Sequence, residues 1–354
     1  MRIGVLTFHW ATNYGAILQC LALQNYLISL GHDVEIINYK PLQYTDSLYN
    51  FVRRRKFLHL RDYIHERRKE FALSKFRRQN LIITKPVHSW KDLSSFVSHL
   101  DVIISGSDQV VNPFFLMNGE GRKVISPTYY IGFPFNGKRV GYALSFGCVS
   151  FPNDCLAIAS EYITKFDNIS VRETSGVNIV EAMGCKGAVV VPDPTLLMPL
   201  EFYNAIASPT HKEENYIYSF FIRNITTRKR LIGSCLSNQR ILWNNYDGDY
   251  SMSGFLAKIK NAKCVLTDSF HCVVMCLKFH KPFLVVTEHK GNVGMNDRLY
   301  TLLQLCGLLS RLIWKDAFKI QVEHLYNEID WNYVDSSLND YANMGKEFLN
   351  ESLR

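Results

Sequence analysis

The chain has 354 residues, 47% of them hydrophobic, and a formal net charge of +8, which is enough for two domains of ordinary size, each with its own core. No apolar run approaches the roughly 18–20 residues of a membrane span. The opening MRIGVLTFHW is a short strand-like run with a helical pattern after it and no signal-peptide cleavage site. Nine scattered cysteines without a CxxC pair read as buried structural thiols suited to a reducing compartment, and no His/Cys cluster has zinc spacing, so the sequence predicts a cytoplasmic protein with no metal.

In chain order, residues 3–8 form an apolar run, 11–15 carry turn chemistry, and 16–30 show helical spacing of Ile17, Leu21, Leu23, Leu27 and Leu30 up to Gly31. Residues 33–39 read as a second strand. Strand, helix and strand within 40 residues make a βαβ unit and imply a parallel sheet. A basic, aromatic-laced stretch at about 42–80 reads as one or two helices. From Arg53 to Arg78 it holds eleven Lys/Arg against three Asp/Glu, a net of eight that equals the charge of the whole chain. The basic character is therefore one patch. Strands are expected at 102–105, 138–144, 169–171 and 188–191, with a loop at 106–112 and helices at 153–165 and 174–183. After a boundary placed between 197 and 207 the alternation restarts, with strands at 216–222, 241–243, 262–266 and 283–286. Helices are expected at 227–236, 253–260, 269–279 and 296–306, and in the tail at 335–349. This predicts an α/β protein with an N-terminal domain at 1–198, a C-terminal domain at 199–330 and a final helical segment at 331–354 that packs back on the first domain.

In open parallel sheets ligands sit beyond the carboxyl ends of strands, and the unusual residues fall there. Asn13-Tyr14-Gly15 follows the first strand and could be a helix cap or a site for an anion or sugar hydroxyl. Ser105 through Asn112 is a Gly-Ser loop in which Asp108 could be a cap or a general base. Arg172, after a short strand, could clamp a carboxylate or phosphate or pair with Glu173. Asp193 between two prolines could be a hinge or a catalytic carboxylate. Ser269 and His271 open a helix whose N-terminal dipole favours an anion, and a histidine there can donate to it or protonate a leaving group. Lys290 in the loop 288–295, Arg298 opening the helix after it and Arg223 after the strand 216–222 could each meet an anionic substrate or be solvated. There is no GxGxxG, GxxxxGK[ST] or GxSxG. The patch is local and has no recognition motif beside it, which argues against nucleic acid.

Taken together, Leu6-Thr7-Phe8-His9, Asn13 through Gln19, Gly31-His32, Asn38-Tyr39, Gly106-Ser107-Asp108-Gln109 with Asn112, Ser170-Val171-Arg172-Glu173, Asp193-Pro194-Thr195 and Thr267 through His271 resemble the bacterial polysaccharide pyruvyl transferases, in order, over residues 1–308. The resemblance implies a fold similar to GT-B glycosyltransferases, two Rossmann-like domains facing a cleft. It implies phosphoenolpyruvate as donor, no further cofactor, and a hexose of galactose or mannose type as acceptor. That acceptor would be carried on a polyprenyl-diphosphate lipid precursor at the inner face of a membrane. The family's Val-Arg arginine maps to Arg172 and the histidine of its Arg-Leu-His motif to His271. Here that motif reads Ser269-Phe270-His271, so Arg298, Lys290 or Arg223 would replace the missing arginine.

On this reading His271 assists phosphate departure, and Asp108 or Asp193 activates a sugar hydroxyl. Arg172, Ser269 and a second cation hold the donor, and Asn13, Tyr14, Gly15 and Asn112 meet the acceptor. The basic segment Arg53–Arg78, interleaved with Phe57, Leu58, Tyr63, Phe71 and Phe76, is either solvated or a peripheral membrane contact. The rival functions are a nucleotide-sugar glycosyltransferase of GT-B type and a non-catalytic sugar-binding protein.

Overall fold

The computed structural model describes residues 1–41, 44, 60–118, 125–208, 215–223, 225–244, 248–288 and 293–354. The chain divides into two compact units: Met1–Leu197 together with Tyr341–Arg354, and Met198–Asp340. The first division falls beside the expected 198/199 boundary. The final helix, Trp331–Ser352, crosses the second division, which falls between Asp340 and Tyr341.

In the first unit, β1 (Arg2–Leu6) leads into α1 (Tyr14–Ser29) and β2 (Asp33–Ile36), as the apolar spacing requires. Then come α2 (Leu60–Asn80), α3 (Trp90–Phe96), β3 (Val102–Asp108) and α4 (Pro113–Asn118). They are followed by β4 (Lys138–Leu144), α5 (Asn153–Ile163), β5 (Asn168–Val171), α6 (Thr174–Ala182) and β6 (Val189–Val190). The strands form a parallel sheet in the order β2-β1-β3-β4-β5-β6, with Ile3 facing both Val34 and Val102. Strands covered on both faces read as apolar runs, and Ile3, Val5, Ile103, Ile104, Val140 and Val171 are buried.

The expected loop at 106–112 is shorter than predicted, because β3 runs on to Asp108. Small polar residues can continue a buried strand when each has a partner. Ser105 Oγ donates to the Tyr129 carbonyl, and Ser107 Oγ donates to the Ala143 carbonyl at 2.9 Å.

The second unit repeats the plan. It runs α7 (Leu200–Ile206), β7 (Ile217–Phe220), α8 (Ile225–Cys235), β8 (Ile241–Trp243), α9 (Met252–Asn261), β9 (Cys264–Thr267) and α10 (Phe270–Lys278). It continues through β10 (Phe283–Thr287), α11 (Val293–Leu305), β11 (Leu312–Trp314) and α12 (Phe318–Gln321) into α13 (Trp331–Ser352). Its parallel sheet is ordered β11-β10-β9-β7-β8. Strand β11 and helices α3, α4, α7 and α12 are additions to the sequence reading; each is too short to show a period. The protein is thus α/β with two Rossmann-like parallel-sheet units.

Both sheets reverse their winding direction once. The reversal lies between β1 and β3 in the first unit and between β7 and β9 in the second. A reversal leaves a crevice beyond the carboxyl ends of the two neighbouring strands, because their connections leave toward opposite faces. Those four strand ends carry residues 7–13, 108–112, 221–223 and 268–271.

Candidate functional site

In the first unit a chain of buried polar groups crosses the strand ends. Gln19 donates to Thr7 Oγ1 at 2.8 Å and accepts from the Ser107 N–H at 3.1 Å. Thr7 Oγ1 donates to the Ser107 carbonyl, and Ser107 Oγ lies 3.3 Å from Asp193 Oδ2. Asp193 Oδ2 in turn accepts from Arg172 Nη1 at 2.7 Å, and Arg172 Nη2 reaches Asp108 Oδ1 at 3.2 Å. Glu173 stands 3.9 Å from Arg172 Nε and uses its other oxygen to accept from Ser145 Oγ and from the backbone N–H of Phe146 and Gly147. The helix-forming strand end after β5 thereby secures the loop after β4.

This geometry corrects two expectations. Arg172 is not an open anion clamp. Its side chain is 1% exposed and lies among three carboxyl groups, which leave no positive excess for a dianion. Coulombic attraction from Asp193, then Asp108, then Glu173, outweighs burial and holds its pKa above the ordinary arginine value. Asp193 is not an available base. Its Oδ1 accepts from Thr195 N and Oγ1 and its Oδ2 from Arg172 and Ser107, and its side chain is fully buried. It caps the turn Pro194–Leu196. Of these carboxylates Asp108 reaches furthest toward the surface, at 14% side-chain exposure. It sits at the switch point with φ 69, a left-handed conformation that a non-glycine residue adopts only when its surroundings hold it there.

The remaining first-unit candidates are placed by local hydrogen bonding. Asn13 is the N-cap of α1, its Oδ1 accepting from the Gly15 N–H at 2.9 Å, and Tyr14 and Gly15 are buried in the first turn. Asn112 is buried, accepts from the Phe114 N–H at 3.0 Å ahead of α4, and donates to Gln109 Oε1. These cap geometries coexist with a position beside the switch point.

His9, in the turn after β1, is buried with its ring nitrogens 3.1 Å from the Thr7 carbonyl and from Asn38 Oδ1. Burial, partly offset by these two hydrogen bonds, lowers its pKa from 6.5 to about 4. The folded state therefore prefers neutral His9. Its contribution is complete above pH 6.5 and is lost as pH falls toward 4, a change of up to ~3 kcal/mol. Urea titrations between pH 7 and 4 should show this slope, and His9→Gln should flatten it.

In the second unit, Asp268 follows β9 and accepts from the backbone N–H of Ile222 at 2.7 Å and Arg223 at 3.3 Å, both just past β7. One carboxylate thus joins the two strand ends at the switch point. Burial raises its pKa against the opposing pull of Arg228. Ser269 caps α10, accepting from the Cys272 N–H at 3.4 Å, and its own N–H donates to Thr267 Oγ1. His271 lies in the first turn of that helix, buried, its ring edge-on to Phe270. The Arg298 guanidinium stands 5.7 Å from the Phe270 ring. The structure therefore brings Arg223, Ser269, His271 and Arg298 to one end of one sheet. Lys290 falls outside the described residues.

Sequence reasoning missed Arg228. It lies in a Lys/Arg run that reads as a solvated helix face, yet its guanidinium is buried. It donates to the Val286 carbonyl, pairs with Asp268 at 3.4 Å and stacks 4.5 Å from the Phe221 ring. The available signal was its i, i+4 spacing with buried Ile232. Arg228 ties the ends of β9 and β10 together and so positions the Asp268–His271 turn.

Among the described residues no group of His, Cys, Asp and Glu could hold a metal ion, and no helix is long and apolar enough to cross a membrane. Three of the nine cysteines, Cys148, Cys185 and Cys235, are half-buried and the other six are buried.

Comparison with known proteins adds a family. Among solved structures, the chain is similar to a putative UDP-N-acetylglucosamine 2-epimerase from Listeria monocytogenes, with TM-score 0.49 and 7% identity over 97% of this chain and 91% of that one. It is similar to an alpha-glucosyltransferase in complex with UDP and a 13-mer DNA, with TM-score 0.47 and 11% identity over 99% and 95%. It is also similar to the E. coli heptosyltransferase WaaC, with TM-score 0.39 and 12% identity over 99% of each chain. A search of curated proteins gives no match. The sequence profile described as Polysaccharide pyruvyl transferase matches residues 13–290, which include the strand-end residues 108–112, 221–223 and 268–271 and begin at the N-cap of α1. The chain belongs to the polysaccharide pyruvyl transferase family.

Proposed function

We propose that this protein transfers the pyruvyl unit of phosphoenolpyruvate to a hexose of galactose or mannose type on a lipid-linked polysaccharide precursor, forming a cyclic ketal and releasing phosphate. The observation that carries the reading is the family match over residues 13–290, which contains the second unit's switch point and the β3 side of the first. In the second unit, the N-terminus of α10 with Ser269 and His271 receives the donor phosphate, with Arg223 and Arg298 as neighbouring cations. Fixed positive groups of this kind are the largest source of stabilisation when charge shifts onto a leaving phosphate. His271 protonates the departing oxygen. The methylene carbon of the donor takes up one proton, the two sugar hydroxyls bond in turn to the adjacent carbon as its bond to phosphate breaks, and the second hydroxyl proton leaves with the phosphate. In the first unit Asp108, held by Arg172, is the carboxylate suited to take a hydroxyl proton. Asn13 and Asn112 border the acceptor side.

A thermal-shift titration tests the donor assignment, since a ligand that binds only the folded state raises Tm by mass action. Phosphoenolpyruvate should raise Tm and a UDP-sugar should not. The opposite pattern would favour the nucleotide-sugar glycosyltransferase.

Helix α2 supplies the membrane side of the proposal. Ile64 and Phe71 are exposed, Phe71 at 71%, and Arg67, Arg68, Lys75 and Arg78 are exposed around them. Apolar tips ringed by cations suit an anionic lipid surface, where each Lys or Arg contributes about 1 kcal/mol. Replacing the four cations with glutamine should abolish flotation with phosphatidylglycerol vesicles; undiminished flotation would remove this contact. Residues 53–59 of the basic segment, including Phe57 and Leu58, lie outside the described residues.

A further inference from the structure

The inner face of α2 is built differently from its basic outer face. Leu73 and Arg77 are buried, and Arg77 donates to the Ala11 carbonyl at 3.3 Å and pairs with Glu70. Glu70 also accepts from Thr12 Oγ1 at 2.7 Å. The helix is therefore fastened to the turn between β1 and α1, at the first unit's switch point. One helical turn before Leu73, Lys69 is half-buried with its ammonium 4.5 Å from the centre of the Tyr14 ring. Tyr14 is the first residue of α1, beside Asn13.

Among the described residues Lys69 makes no hydrogen bond and no ion pair. The adjacent carboxylate of Glu70 is occupied by Arg77 and Thr12, and Glu66, the other nearby acid, is exposed. A desolvated ammonium is costly unless something compensates it, and the aromatic face does so only in part. The positive end of the sixteen-residue helix α1 lies on the same side. Burial, opposed by Glu66 and Glu70, pushes the Lys69 pKa down to about 8, as expected of a cation short of partners.

We propose that Lys69 is a phosphoryl-anion-binding residue and that α2 is a wall of the first unit's ligand site. The anion has two available sources, the diphosphate of a lipid-linked acceptor and the phosphate of the donor, the second of which would replace the assignment of the donor phosphate to α10; this choice, though not the site, rests on the pyruvyl transfer reading. Lys69 in this role orients a phosphate group and takes no proton during the reaction.

The test labels amines of the intact protein with succinimidyl acetate and follows Lys69 by peptide mass spectrometry. Inorganic diphosphate or phosphoenolpyruvate should slow its labelling about ten-fold at saturation, as expected for a charge-assisted contact. Protection by diphosphate at the lower concentration assigns the acceptor; protection by phosphoenolpyruvate at the lower concentration assigns the donor. Lys69→Met should weaken binding of the protecting anion about ten-fold in calorimetry, and Lys69→Arg should restore most of it. Labelling unaffected by either anion, or wild-type anion affinity in a folded Lys69→Met protein, overturns the proposal. Neither readout needs turnover. If the wild-type protein transfers no pyruvate while Lys69 is still protected, the transferase reading falls and the anion site stands.

Discussion

Arg172→Met should lower the unfolding free energy by about 3–5 kcal/mol, the usual cost of removing one partner from a buried ionic cluster. The side chain has no solvent to fall back on, and its removal takes the guanidinium from among Asp193, Asp108 and Glu173. Asp193 would keep Thr195 and Ser107, and Glu173 would keep the 145–147 loop. Asp108 would lose the charged partner that crosses to it from β5. Arg172→Lys should recover only a fraction, because one ammonium cannot reach Asp193 and Asp108 with separate parallel donors as the guanidinium does. Combining Arg172→Met with Asp193→Asn should cost less than the sum of the two changes, since both ends of the shortest pair are then neutral. Urea unfolding of the wild type, the three single variants and the double variant measures all of this. A loss under about 1 kcal/mol for Arg172→Met would mean that water or the chain replaces the guanidinium easily, and Asp108 would need another explanation for its left-handed backbone.

His271→Ala should reduce turnover by about 10²–10⁴-fold under saturating donor, the range for loss of a general acid. Its stability should change much less than that of Arg172→Met, because α10 keeps its Ser269 cap and its apolar face of Val273, Val274 and Leu277. Ser269→Ala separates capping from chemistry. Loss of a cap costs about 1 kcal/mol and should raise KM for phosphoenolpyruvate more than it lowers kcat. If His271→Ala keeps more than about a third of wild-type turnover, the imidazole supports the helix terminus and the proton comes from elsewhere.

The elements were legible wherever a period or a run was long enough to declare itself. The 16-residue α1 and the strand Lys138–Leu144 are examples. The loops worth attention were legible for the same reason: polar and glycine-rich residues directly after apolar runs. Strand order was not legible, because nothing in the spacing of β1, β2 and β3 says which of the later strands pairs with β1. Hence the switch points could not be located, although they lie among the loops that were singled out. The role of Arg172 was misjudged because a strand-end arginine looks the same whether it faces a ligand or three carboxyl groups from β3, β5 and the 193 turn. Asp193 was misjudged with it, since its saturation depends on Ser107, which is distant in sequence. Arg228 was overlooked because charge suggests solvent, whereas burial of a guanidinium is possible when a carbonyl, a carboxylate and an aromatic face converge on it.

The central claim, pyruvyl transfer from phosphoenolpyruvate to a saccharide, is tested most directly by incubating the wild-type protein with phosphoenolpyruvate and polyprenyl-diphosphate-linked galactose or mannose acceptors. Released phosphate and product mass are followed together. The account predicts one phosphate released per acceptor that gains an acid-labile pyruvate ketal, with neither product formed when donor or acceptor is omitted. Phosphate release without a modified sugar, or a new glycosidic bond when a nucleotide sugar replaces phosphoenolpyruvate, would contradict it.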